Sequence, residues 1–334
     1  MNEQAVAEGS GTFTVTAAEQ SHRVRSRQIL AAHPGVRILM GRDPTSFGWT
    51  IVLVALQLGI AIGLSVAAAP WWGVMLAAYC IGAFANHALT VLIHEYTHNL
   101  VFRTALANRL AAILANFPIV LPVAMSFRSF HMLHHEHLGH PGLDADVPGD
   151  LEARWVGRSR WRKLLWVAAY PMVILFLRTG DVKTQPVLER WTLLNAAAMA
   201  AGLVPLIWVF GWTACAYLLL STLLALGLHP VGGRWFQEHY VVREGQETYS
   251  YYGVLNRLCF NMGYHNEHHD FPGVAWSRLP ALRRAAPEFY DSLYAHRSWC
   301  LLLLRVIFDA SFSPANRIVR FDQVRPGSQP DAGA

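Results

Sequence analysis

The sequence predicts an all-α integral membrane protein, with four transmembrane helices in two hairpins and a cytoplasmic helical cap that gathers histidines. Three observations lead there. The 334-residue chain is 53% hydrophobic and only 15% charged, whereas soluble domains carry about 25% charged residues. No Asp, Glu, Lys or Arg occurs between Asp43 and Glu95, nor between Arg190 and Arg234. Of the 16 histidines, 13 fall between His87 and His269, most of them in three short clusters.

One crossing needs about 20 apolar residues, so each uncharged stretch holds two helices and a tight turn. Pro70, Trp71 and Trp72 mark the first turn, and Gly211 and Trp212 the second, with indoles where an interfacial belt places them. The spans are expected over residues 48–69, 71–93, 191–210 and 213–229. Buried helices of a soluble protein seldom run so far without a charge. Arg23, Arg25, Arg27, Arg37 and Arg42 precede the first span, the segment between spans two and three is rich in Arg and Lys, and both short turns carry none. Positive charge stays inside, which puts both termini and the middle segment in the cytoplasm.

The first 20 residues are polar and lack the apolar core of a cleavable signal. Residues 1–20 and 323–334 read as disordered tails around a membrane domain spanning 21–322. Cys80, Cys215, Cys259 and Cys300 are scattered, which supports neither a disulfide framework nor a thiolate zinc site. The net charge of +5 and pI near 9.2 come from residues flanking the spans, so anionic headgroups, not nucleic acid, are the expected partner. The run RWVGRSRWRK, residues 154–163, suits a helix lying on such headgroups or docking an acidic electron carrier. Composition and short loops have a bacterial style, pointing to an inner membrane; in a eukaryote the membrane would be the endoplasmic reticulum.

The chemistry lies in the histidine clusters. HEYTH, residues 94–98, places His94 and His98 at i and i+4 on the continuation of span two. It also has the His-Glu-x-x-His form of a zinc peptidase, in which Glu95 would activate water. HMLHH, residues 131–135, and HNEHH, residues 265–269, share one spacing, with His131, His134 and His135 matching His265, His268 and His269. A peptidase needs only one further protein ligand and leaves the other two clusters unexplained. Eight imidazoles exceed the shell of one ion, so two metals are implied. Imidazole suits iron, copper, nickel and zinc. Two irons at a membrane face suit oxygen activation beside an acyl chain, because an unactivated methylene needs an oxidant stronger than any side chain. A non-catalytic metal carrier would instead need polar sites along its spans, which are free of charge.

These clusters and the segments around them resemble the membrane fatty-acid desaturases with three histidine boxes, and within them the sphingolipid Δ4-desaturases. The resemblance covers about residues 20–320 and rests on RQILAAHPGVRILMGRDP, NHALTVLIHEYTH, FPIVLPVAMSFRSFHMLHH, GLDADVPGD, GLHPVGG, EHYVVREGQETYSYYGVLN and FNMGYHNEHHDFP. It implies an enzyme that uses O2 and electrons from a carrier such as cytochrome b5 or a ferredoxin. The expected product is ceramide, by a trans double bond between C4 and C5 of dihydroceramide. A C4-hydroxylase or an acyl-lipid desaturase on the same scaffold is the alternative.

Related desaturases hold two irons (Fe) through nine histidines. The resemblance therefore implies as catalytic and metal residues His94, His98, His131, His134, His135, His265, His268 and His269, with a ninth from His239 or His229, of which His239 is the better spaced. The chain departs from the family in three places. Arg234 stands where GHxxxEHY has its first histidine, His137 and His140 occupy unusual positions, and FTVTAAEQ lacks the expected aromatics. Glu95, Asp144, Asp146, Glu238, Glu267 and Asp270 lie beside the boxes and could orient ligand rings. Asn86 and His87, inside span two, are candidates for the same role or for helix packing, and Tyr249, Tyr251 and Tyr252 for lining a lipid cleft.

Overall fold

The computed structural model describes residues 13–182 and 189–320. In chain order its main helices are α1 (Ser21–Ala32), α2 (Thr45–Val66), α3 (Trp71–Thr97, with a π-helical segment at Ala78–Gly82), α4 (Ala105–Asn116) and α5 (Ala124–Glu136). There follow α6 (Asp150–Val156), α7 (Arg160–Ala168), α8 (Tyr170–Asp181), α9 (Arg190–Phe210), α10 (Trp212–Leu226) and α11 (Arg234–Gln237). The last are α12 (His265–Asp270), α13 (Leu279–Ala285) and α14 (Trp299–Phe308).

Four helices are long and apolar enough to cross a membrane: α2, α3, α9 and the run Trp212–Gln237. The expected starts and turns hold within a few residues, but the second helix reaches Thr97, and the fourth breaks at Gly227 instead of running to His229. Burial sorts the four. The apolar windows of α2 and α9 are only 22% and 17% buried, against 61% and 50% for α3 and the Trp212–Gln237 run. The first two are therefore the outer helices, their leucines and valines left for a nonaqueous surround.

The inner contact of α2 is a stripe of Ser46, Thr50, Val54, Gln57 and Ala61, all buried. Gln57 accepts from Tyr217 at 2.6 Å and donates to the Gly82 carbonyl and to Asn86. Asn86 also reaches Thr222 at 2.8 Å and the Pro118 carbonyl at 3.1 Å. Its role is thus a knot between helices, because a polar group away from water must find partners in the protein. His87 is buried against Trp299, away from the box histidines, with ring centroids 5.9 Å apart. The knot needs close approach: a Cβ on Gly82 would stand 2.0 Å from Ser221 Oγ.

A further part of the molecule, with the histidine-bearing ends of α5 and α12, lies around the last turn of α3, remote from its Pro70 turn. Two small parallel sheets tie it. β1 (Thr14–Thr16) pairs with β4 (Ile318–Arg320), and β2 (Ser250–Tyr251) with β3 (Ala295–His296). Thr14–Thr16, ahead of the expected membrane domain, gain backbone partners that the composition of the segment does not reveal. Residues 1–12 and the expected tail at 323–334 lie outside the described residues.

Candidate metal centre

The three boxes reach one place from three helix ends. α3 stops at Thr97, so His94 sits in its last turn and His98 is its C-cap. α5 carries His131, His134 and His135 in its last two turns, and the six-residue α12 carries His265, His268 and His269. His239 follows α11 directly.

The nine rings sort into two adjoining groups. His94, His98, His131, His135 and His268 bring one ligand atom each within 4.8 Å of one another, and His134, His239 and His269 do the same. His265 joins the second group, its Nε2 2.9 Å from that of His239, which is also 3.1 Å from Nε2 of His134. In the first group Nε2 of His131 lies 3.0 Å from those of both His98 and His135. Nε2 of His268 lies 3.0 Å from that of His94 and 3.1 Å from that of His135. The groups touch where His135 stacks on His269, centroids 4.3 Å apart.

These spacings fit cations. Each ring nitrogen carries either one proton or one lone pair, so the five nitrogens of the first group can make at most two full hydrogen bonds among their four close contacts. A positive ion satisfies converging lone pairs, and two nitrogens at right angles on an ion about 2.1 Å away stand about 3 Å apart. Burial pushes His98 down to about 3 and holds His131, His135, His239, His265, His268 and His269 well below the ordinary histidine range. All are then neutral at physiological pH, the form that binds metal.

The backs of the rings are only partly braced by carboxylates. Asp144 meets His134 Nδ1 at 2.8 Å, and its other oxygen accepts from the Gly139 N–H. Burial alone would raise the Asp144 carboxyl, but His134 and these hydrogen bonds hold it at about 2. Glu238 stands 3.5 Å from His265 Nδ1 and pairs with Arg234 at 2.7 Å. The other candidates face elsewhere. Asp146 binds Arg317, Asp270 binds Arg25 in a bidentate pair, and Glu95 accepts from the Trp276 N–H at 3.1 Å. Glu95 lies 3.7 Å from Nδ1 of His94, the nitrogen turned away from the cluster, so it is badly placed for a peptidase base.

Glu267 explains why the GQETYSYYG stretch precedes the third box. Its two oxygens accept from Ser250 at 2.8 Å and Tyr252 at 2.7 Å, and Ser250 Oγ accepts from the Asn266 N–H, fixing α12. Tyr249 pins the 242–246 loop through its hydroxyl, and Tyr251 stacks on Trp299. None of the three tyrosines lines the apolar cavity described below; each is turned inward by a hydrogen bond or a stack. Thr248, 3.4 Å from His239 Nδ1, lies in the same stretch. Arg25 and the buried His22, whose ring is 5.2 Å from that of His269, come from α1 without a sequence signal.

Of the two candidates for a ninth histidine, His239 is in the cluster and His229 is not. His229 lies between the rings of Tyr79 and Phe84 and meets the Tyr79 carbonyl at 3.1 Å. His137 and His140 lie outside both groups, beside a polar surface hollow with Arg23 and Glu136.

A partly open cavity runs between α3, α5, α8 and α11 and ends on the groups. Ile93, Ile119, Phe127, Phe130, Ile174 and Leu175 are among its apolar walls, and His131, His134 and His265 stand at its inner end.

Apolar helices long enough to cross a bilayer, two adjoining all-histidine groups that could hold metal ions, and an apolar cavity leading to them make this a multi-pass membrane fold with a candidate metal centre. The family model described as Fatty acid desaturase matches residues 37–300, and the one described as Sphingolipid Delta4-desaturase (DES) matches residues 12–45. The chain is 42% identical to sphingolipid delta(4)-desaturase/C4-monooxygenase DES2 of Rattus norvegicus, over 90% of this chain and 93% of that protein. It is 39% identical to sphingolipid delta(4)-desaturase DES1 of Drosophila melanogaster and to that of Homo sapiens, with the same coverage. The chain therefore belongs to the fatty acid desaturase family, in its sphingolipid Δ4-desaturase branch, and is an oxidoreductase.

Proposed function

We propose that the protein desaturates dihydroceramide between C4 and C5 to give ceramide, taking O2 and two electrons from a small carrier such as cytochrome b5 or a ferredoxin. The balance is one methylene pair, O2, two electrons and two protons in, one trans double bond and two waters out. The single observation that carries this reading is the largely apolar cavity ending between two groups of converging imidazoles. His94, His98, His131, His135 and His268 would hold one iron, and His134, His239, His265 and His269 the other. Reduced iron with O2 supplies an oxidant able to attack an unactivated methylene.

The protein's own part is placement. The apolar walls hold the chain extended and keep water from the reacting carbons. Asp144 keeps the proton on Nδ1 of His134, leaving Nε2 as its ligand atom.

We further place the cap on the cytoplasmic side, where the arginines before α2 and the RWVGRSRWRK segment would meet anionic headgroups. Within that segment Trp155 and Trp161 are exposed, while Lys163 turns inward to the Asp309 and Phe312 carbonyls. C4 hydroxylation is a second reading, supported by the C4-monooxygenase in the name of the rat relative. Lipid analysis with a reconstituted carrier tests both. Ceramide formed from dihydroceramide supports the first and 4-hydroxylated product alone the second, while altered fatty acids with unchanged sphingolipids defeat both. Metal analysis should find about two irons per chain; one zinc, with peptide cleavage lost in Glu95→Gln, would point to a peptidase.

A further inference from the structure

Apart from the histidines at its inner end, Asp146 paired with Arg317, Tyr170 accepting from Arg178, and three small hydroxyls, the polar lining of the cavity is one turn of helix. Arg234, Trp235 and Glu238 all line it, and their polar atoms are poorly served by the protein. Arg234 Nε and Trp235 Nε1 are buried without a hydrogen-bond partner among the described residues. Arg234 is 4% exposed and Glu238 7%; they form an ion pair at 2.7 Å one turn apart, and the guanidinium lies 4.2 Å over the Trp235 ring. The other cavity hydroxyls are already engaged: Thr90, Ser126 and Thr179 each donate to a carbonyl of their own helix. Arg234 also stands where the resemblance expects a histidine.

We propose that Arg234, held by Glu238, is the specificity-determining anchor for the oxygen-bearing end of the lipid, donating to the hydroxyl on the carbon next to the reacting one. This rests on the Δ4 reading given above. Buried donors and acceptors without partners are costly, and a ligand that completes their bonds recovers that cost. Position decides what kind of ligand. Glu238 adjoins His239 and is 3.5 Å from His265 Nδ1, so the anchor sits against the second histidine group. A polar anchor so close to the metals fits a substrate whose hydroxyl is one bond from the attacked methylene. A lipid attacked in mid-chain would need its polar end held half a chain length away, where these walls are apolar.

Binding of fluorescent dihydroceramide and of its 3-deoxy analogue to the intact, iron-loaded protein in nanodiscs tests the anchor. The wild type should prefer the 3-hydroxy lipid by about tenfold, the range for a hydrogen bond to a charged group. Arg234→Met should remove that preference by weakening the hydroxy lipid alone, with iron content unchanged. Equal weakening of both lipids, a retained preference, or loss of iron would overturn the anchor. If that variant does not fold, Arg234→Lys serves: it keeps the charge but not the planar fork, and should reduce the preference, whereas an unchanged preference overturns the proposal. Products from the same wild-type samples separate the two failures. A mid-chain double bond would sink the Δ4 reading; a C4 product with no dependence on Arg234 would sink the anchor alone.

Discussion

At the scale of the residue, the two histidine groups have different supports. The rings of the first group depend on one another: Nδ1 of His94, for example, has no hydrogen-bond partner among the described residues, and Glu95 beside it serves the Trp276 N–H. In the second group His134 is braced by a buried carboxylate. Two predictions belong here. Replacing any one of the nine histidines by Ala should abolish desaturation and lower bound iron, while His33→Ala and His229→Ala, both outside the groups, should leave turnover largely intact; full activity in His268→Ala would overturn the assignment. Asp144→Asn should weaken metal binding by about 10- to 100-fold, read as iron retained during titration with a chelator. Unchanged retention would mean that Asp144 serves only the Gly139 loop.

Among elements, α12 matters most, being only six residues long and unable to hold its shape by helix propensity. Its order comes from Ser250 and Tyr252 on Glu267, and from Arg25 of α1 on Asn266 and Asp270. Ser250→Ala with Tyr252→Phe would leave the Glu267 carboxyl buried without these two donors, at a cost of about 1–3 kcal/mol for each lost bond. The expected result is a lower melting temperature and lost iron, measurable by thermal unfolding and metal analysis; an unchanged melting temperature would contradict this role. The π-helical segment of α3 offers a separate test. Gly82→Val would drive a side chain into Ser221 of α10, and should reduce folded yield more than Gly63→Val, where nothing lies within 4 Å of a new Cβ.

For the whole molecule, burying so many imidazoles ties stability to pH. Take His98, whose value falls from the ordinary 6.5 to about 3 on burial. Between these values the unfolded chain holds a proton that the folded chain does not, so acid favours unfolding. Each such histidine costs about 1.4 kcal/mol per pH unit over that interval. The stability of metal-free protein should therefore fall steeply below pH 6.5, with several protons taken up together, only partly offset by Glu238 and Asp270, whose carboxyls burial raises to about 7. Thermal unfolding of chelator-treated protein at pH 7.5 and 5.5 checks this, and equal midpoints would refute it. Bound metal should steepen the loss further, because protons then compete for the same nitrogens.

The sequence by itself determined the apolar helices, their two tight turns and the three histidine boxes. These features are written over a few neighbouring residues, as hydropathy or as i, i+3, i+4 spacing, and need no distant partner to be read. Only the tertiary structure decided how the boxes divide. On α5, His131 and His135 face the first group and His134 the second; on α12, His265 and His269 face the second and His268 the first. It also put His239, and not His229, beside the box histidines, turned most of the flanking carboxylates to arginines, hydroxyls or backbone, and set Arg234 in the cavity wall. Spacing places a ring on a helix face, but which ion that face meets depends on how helices far apart in the chain pack together. In this fold that packing is fixed by polar knots such as Gln57 with Asn86 and Arg25 with Asp270, whose halves stand too far apart in sequence to be paired by pattern alone.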